Sequence, residues 1–123
     1  MSVKIKVTKG FKRQAKPLLK KYISLKSELR DLQISLIETP EQGVLLVEDV
    51  YKIRLGVKSK GRGKSGGVRI ITFVETLLVA EIEIEDTIQK IVNLIAIYDK
   101  SDTDSIENHE IGQILSEIEF DEE

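Results

Sequence analysis

The stretch from Val50 to Thr72, VYKIRLGVKSKGRGKSGGVRIIT, constrains the fold of this chain more than any other. In Tyr51-Lys52-Ile53-Arg54-Leu55, apolar and basic residues alternate with period two, the pattern of a half-buried strand. Successive strand side chains point to opposite faces. Lys52, Arg54 and Lys58 therefore fall on one face, and Tyr51, Ile53, Leu55 and Val57 on the other. Val68 to Val74 is rich in β-branched residues and carries one charge, Arg69. Gly61, Gly63, Gly66 and Gly67 lie between the two runs and let the backbone approach a partner closely. Seven cations and no acidic residue lie between Val50 and Thr72. That composition suits a surface facing a polyanion.

Charge is divided along the chain. Residues 1–74 hold 17 Lys/Arg against 6 Asp/Glu, whereas residues 75–123 hold 2 against 15, leaving a net charge of -2. Such a split implies a basic working surface and an acidic segment elsewhere, with an acidic end from about residue 119. The 123 residues suit a single domain with one modest core. Cysteine is absent, which excludes disulfides and thiolate metal sites. No apolar run reaches the length of a membrane span and no signal-peptide pattern opens the chain, so a cytoplasmic protein without a membrane partner is expected.

The remaining pattern reads as α+β. Val3, Ile5 and Val7 alternate with Lys4 and Lys6 in an N-terminal strand. Thr8 is placed to cap a helix carrying Phe11, Ala15, Leu18, Leu19, Tyr22 and Ile23, with Pro17 expected to kink or divide it. Ser24 reads as a second cap, before Leu25, Leu29, Leu32 and Leu36 in a helix ending near Glu38 at Thr39-Pro40. Two amphipathic helices so closely joined form a hairpin that must cover a sheet, expected to be mostly antiparallel. Val44 to Val47 reads as a short lead-in strand or a packed loop. Ala80 to Glu85 alternates as a strand, and Ile91 to Tyr98 reads as a central strand covered on both faces. Ile111, Ile114, Leu115 and Ile118 mark a C-terminal helix.

Two motif matches are weaker than they look. Gly63-Lys64-Ser65 resembles the end of a phosphate-binding P-loop, but Lys58 stands where the first Gly is required and a strand follows instead of a helix. Asp99, Asp102 and Asp104 lack the Gly and terminal Glu of a calcium loop, so no metal site is expected. His109, the only histidine, reads as a solvated helix residue.

Three separated motifs, Tyr51-Lys52-Ile53-Arg54-Leu55, Gly63 to Ile71 and Ile97-Tyr98-Asp99-Lys100-Ser101, resemble the RelE/HigB branch of the RelE/ParE toxin superfamily, in the order found there. The resemblance spans nearly the whole chain and implies the RelE/ParE-like order of N-terminal strand, helical hairpin, antiparallel strands and C-terminal helix. It also implies a toxin of a bacterial type II toxin–antitoxin pair, an endoribonuclease that cuts mRNA on the ribosome without metal or small-molecule cofactor. Its partners would be a cognate antitoxin protein and ribosome-bound mRNA.

Cleaving RNA without metal requires attack of a 2′-hydroxyl on the adjacent phosphate, with one proton removed, one donated and added charge stabilised. The resemblance places Lys52, Arg54, Arg69 and Lys100 in the catalytic set. Lys52 is the candidate base, while the guanidiniums of Arg54 and Arg69 suit charge stabilisation. Lys58, Lys60, Arg62, Lys64 and Ser65 are the candidate RNA-binding residues. The chain departs from the pattern at the late tyrosine of some RelE members, where it reads Ser105-Ile106-Glu107. That departure supports an alternative: a non-catalytic interaction protein of the same fold, either a ParE-like gyrase inhibitor or an inactive remnant.

Overall fold

The computed structural model describes residues 2–60, 66–78, 88–101 and 108–118. Along the chain they form β1 (Ser2–Val7), α1 (Lys9–Lys21), α2 (Leu25–Glu38), β2 (Val44–Val47), β3 (Val50–Leu55), β4 (Val68–Leu78), β5 (Ile88–Asp99) and α3 (Asn108–Glu117). A single 3-10 turn, Lys58–Lys60, follows β3. The five strands form one sheet in the order β1-β5-β4-β3-β2. Three ladders are antiparallel, but β1 pairs with β5 in parallel, from Ser2↔Gln89 to Val7↔Leu94. The sheet is therefore mixed. Period-two alternation reports which face a residue takes and says nothing about strand direction.

Alternation decides the layers. Tyr51, Ile53 and Leu55 on β3, Val68, Ile70 and Val74 on β4, and Val92, Leu94 and Ile97 on β5 face the α1–α2 hairpin. They meet Phe11, Ala15, Leu18 and Tyr22 from α1 and Leu25, Leu29, Leu32 and Leu36 from α2. The opposite face carries Val50, Ile71, Ile95 and Ala96, against which α3 seats Ile111. Two cores thus share one sheet. β5 is buried from Ile91 to Ile97, as expected for a strand covered on both faces.

α1 runs through Pro17 from Lys9 to Lys21 as one helix, so the proline does not divide it. An interior proline costs about 3 kcal/mol. Each large apolar side chain buried in the stripe returns about 1.5–3 kcal/mol, and Phe11, Leu18 and Tyr22 together outweigh that cost. Pro17 and Arg13, whose carbonyl loses its partner, both lie on the exposed side, where water can bond the orphaned oxygen. Thr8 caps α1 as expected, its Oγ1 accepting from Phe11 N–H at 3.1 Å. Ser24 makes no side-chain cap to the backbone of α2. Its hydroxyl instead accepts from Ser59 N–H at 2.9 Å and donates to Glu28 Oε1 at 3.1 Å, tying the 3-10 turn to the hairpin.

The strand read into Ala80 to Glu85 falls outside the described residues, although β4 itself reaches Leu78. Two glycines are required by backbone geometry. Gly43 has φ 104°, and a Cβ there would strike Lys52 O. At Gly67 a Cβ would collide with Leu55 O, so only glycine lets β4 begin this close to β3. No described helix is long and apolar enough to cross a membrane.

Candidate functional site

Register brings three chemically active side chains into line. Arg54 pairs with Arg69 across β3 and β4, and Arg69 pairs with Tyr98 across β4 and β5. All three stand on the face away from the hairpin. Lys52 occupies the next row on that face, opposite Ile71. Directly opposed side chains in antiparallel strands lie about 5 Å apart at Cβ, so the row holds two guanidiniums and a phenol within reach of one small anion.

The row is graded in exposure. Arg54 is exposed and Lys52 half-buried, whereas Arg69 is only 4% exposed. Arg69 therefore departs from the polyanion-facing surface that the composition of Val50 to Thr72 suggests. The same face carries the second core, and Arg69 is covered there beside Tyr98, which packs against that core. Burial lowers the Arg69 pKa, as does the charge of Arg54, while Tyr98 opposes the shift. Burial likewise raises the Tyr98 pKa, Arg69 pulling it down and Glu110 pushing it up. Tyr98 is therefore held in its protonated, hydrogen-donating form. Among the described residues its Oη is enclosed and has no hydrogen-bond partner.

The other expected residues are placed differently. Lys58 leaves the alternating face because β3 ends at Leu55; its backbone N–H donates to Glu28 Oε2 at 2.7 Å and its side chain is exposed. Lys60 is withdrawn from any RNA surface on this face. Its Nζ donates to buried Asp99 and, at 3.3 Å, to Gly67 O, and stands over the Tyr22 ring on the hairpin side. Lys100 is the first residue beyond β5, and its backbone N–H donates to Gly67 O at 3.1 Å. Arg62, Lys64 and Ser65, like the side chain of His109, lie outside the described residues.

Asp99 is the hub of that second cluster. Its carboxylate accepts from Lys60, from Tyr22 Oη at 2.6 Å and from the Ser101 N–H and hydroxyl at 3.0 and 2.7 Å. Burial alone would raise its pKa, but these donors hold it well below the usual carboxylate range. Tyr98 and Asp99 were both passed over as site residues in the sequence. Their signal there was faint: a tyrosine and an aspartate closing an otherwise apolar strand, where a polar side chain persists only with a partner or a task.

The row can bind and polarise a phosphate. Arg54 supplies an exposed planar fork of donors, Lys52 an ammonium two residues along β3, and Arg69, whose Nη1 donates to Val68 O at 3.4 Å, a buried positive charge beside them. Among the described residues, no three His, Cys, Asp or Glu side chains converge as metal ligands. No family model matches the chain and no curated protein matches it, so the functional reading stands on this geometry.

Proposed function

We propose that the chain is a toxin of the RelE/HigB type, an endoribonuclease of the cytoplasm that cuts mRNA on the ribosome and is held in check by a cognate antitoxin. The observation that carries this reading is the row of Arg54, Arg69 and Tyr98, with Lys52 beside it. Like charges in adjacent strands repel and cost stability in the free protein, and an anion relieves that cost. In a phosphodiester cleavage by 2′-hydroxyl attack, the arginines stabilise the charge that grows on the phosphate, and Tyr98 is a protonated donor for an RNA oxygen. Lys52 takes the base role on this reading. The element order of N-terminal strand, two helices, sheet and C-terminal helix agrees with the resemblance.

Burial of Arg69 favours a second reading, a non-catalytic protein of the same fold. One experiment separates them. Induced expression in a bacterial host, followed by mapping of mRNA 5′ ends, should reveal new ends within translated codons in minutes. Growth arrest without new ends would reject the nuclease and leave the interaction protein.

A further inference from the structure

We propose that the cleft between α1, β5 and α3 is a nucleobase pocket, set beside the arginine row so that an RNA held there by phosphate lodges an adjacent base in it. This rests on the RNA reading above and names what selects the substrate. β1 stops at Val7, opposite Leu94, while β5 continues to Asp99. The upper part of β5 therefore has no strand on that edge. Side chains replace it: Thr8 Oγ1 donates to Leu94 O at 3.1 Å, and Gln14 Oε1 accepts from Ile97 N–H at 3.1 Å. The space left between α1 and α3 is a cleft of about 380 Å³. That lies in the range of small-ligand pockets, roughly 300–1,000 Å³.

Its floor is apolar, formed by Ile95, Ala96 and Ile97. The β4–β5 register slips by one residue between Ile71 and Thr72, pairing them with Ala96 and Leu94. Ile95 is the extra residue, and it joins Ala96 on the α3 face instead of pointing to the hairpin. A small residue beside a branched one makes a shelf for a planar ring. The rim is polar. Gln14 has committed its oxygen to Ile97, so its amide NH₂ is the group it offers the cleft. Glu110, Gln113 and Glu117 line the α3 side, and Arg13 the α1 side.

Two carboxylates against one guanidinium make this rim a poor place for a second phosphate. The row next to it has the opposite sign, so phosphate and base are sorted to different sites by charge. A carboxylate reads a base edge that donates, and guanine presents N1–H and N2–H₂ on one edge, whereas uracil presents a single ring N–H. Guanine is the base this rim selects. Tyr98 lines the cleft and also belongs to the row, so its ring lies where the two sites meet.

The test uses the full chain and two probes: guanosine, which carries no phosphate, and an abasic ribose-phosphate oligomer, which carries no base. Guanosine should shift the amide resonances of Gln14, Ala96, Ile97 and Gln113 and bind at least tenfold more tightly than cytidine or uridine. Glu117→Gln, an exposed substitution that leaves the core untouched, should cost guanosine about tenfold, the worth of one charged hydrogen bond. It should leave the abasic oligomer unaffected, while Arg54→Ala does the reverse. Failure of guanosine to shift these resonances, or equal binding of cytidine, overturns the pocket. If the abasic oligomer still binds in an Arg54-dependent way, the RNA reading survives that result; if it too fails to bind, both fall.

Discussion

Tyr98 and Asp99 are neighbours in sequence at the end of one strand, and they project to opposite faces of the sheet into two polar clusters of contrary design. On the hairpin side, Asp99 gathers a cation, a phenol and two donors from Ser101, and every member of the cluster has a partner. On the α3 side, Arg54 stands opposite Arg69, and the Tyr98 hydroxyl has no acceptor among the described residues. The first is complete without a ligand. In the second, like charges are adjacent and a donor is unused, an arrangement that an anion would complete. The contrast sets a cluster closed by its own partners against one in which a buried hydroxyl has no partner among the described residues.

That contrast can be broken most easily at Asp99. Asp99→Ala leaves Lys60 charged and enclosed without its partner, and should cost about 3–5 kcal/mol in urea unfolding. A loss under about 1 kcal/mol would deny the cluster its structural role. On the other face the expected sensitivity moves from stability to activity. Arg54→Ala and Arg69→Met should each lower the rate of RNA cleavage about a hundred- to a thousandfold, with melting temperature unchanged or raised. If either variant unfolds as readily as Asp99→Ala yet cuts RNA normally, the two clusters have been assigned the wrong way round.

Acid sharpens the same comparison. An unfolded aspartate takes up its proton near pH 4, whereas folded Asp99 does so only at far lower pH. Its stabilising contribution is therefore present above about pH 4 and drains away as pH falls below that, through the folded value. Asp99→Asn should flatten this part of the stability profile, and Arg54→Ala should leave its slope unchanged. The smallest effect belongs to Tyr98→Phe. Deleting a hydroxyl that has no partner should change stability by less than about 1 kcal/mol, with either sign, while weakening RNA affinity. A larger loss on chemical denaturation would mean that the hydroxyl supports the fold after all.

Much of this architecture was legible in local pattern. Leu25, Leu29, Leu32 and Leu36 announced the buried stripe of α2, and the alternation around Ile53 announced β3 and its two faces. What escaped was whatever depends on distant partners. The direction of β1 is set by a strand more than eighty residues away, and no pattern within β1 encodes it. Lys60 looked like one more cation in a basic loop until Asp99 claimed it. The alignment of Arg54, Arg69 and Tyr98 is a fact of register across three strands, invisible to spacing along the chain. The burial of Arg69 left no trace either, because its neighbours Val68 and Ile70 face the hairpin and say nothing about the side on which Arg69 stands.

The parallel pairing of the first strand with the last has a consequence for the timing of synthesis. Ser2 finds its partner only at Gln89, so the N-terminal strand, although made first, has no ladder to join until β5 has emerged from the ribosome. Such non-local pairings fold slowly, because a long loop must close before any contact rewards it. β5 also supplies Tyr98 to the cationic row and the floor of the cleft beside it. A growing chain therefore carries the cations of β3 and β4 without the surface that organises them, and the whole device assembles only once β5 has been made.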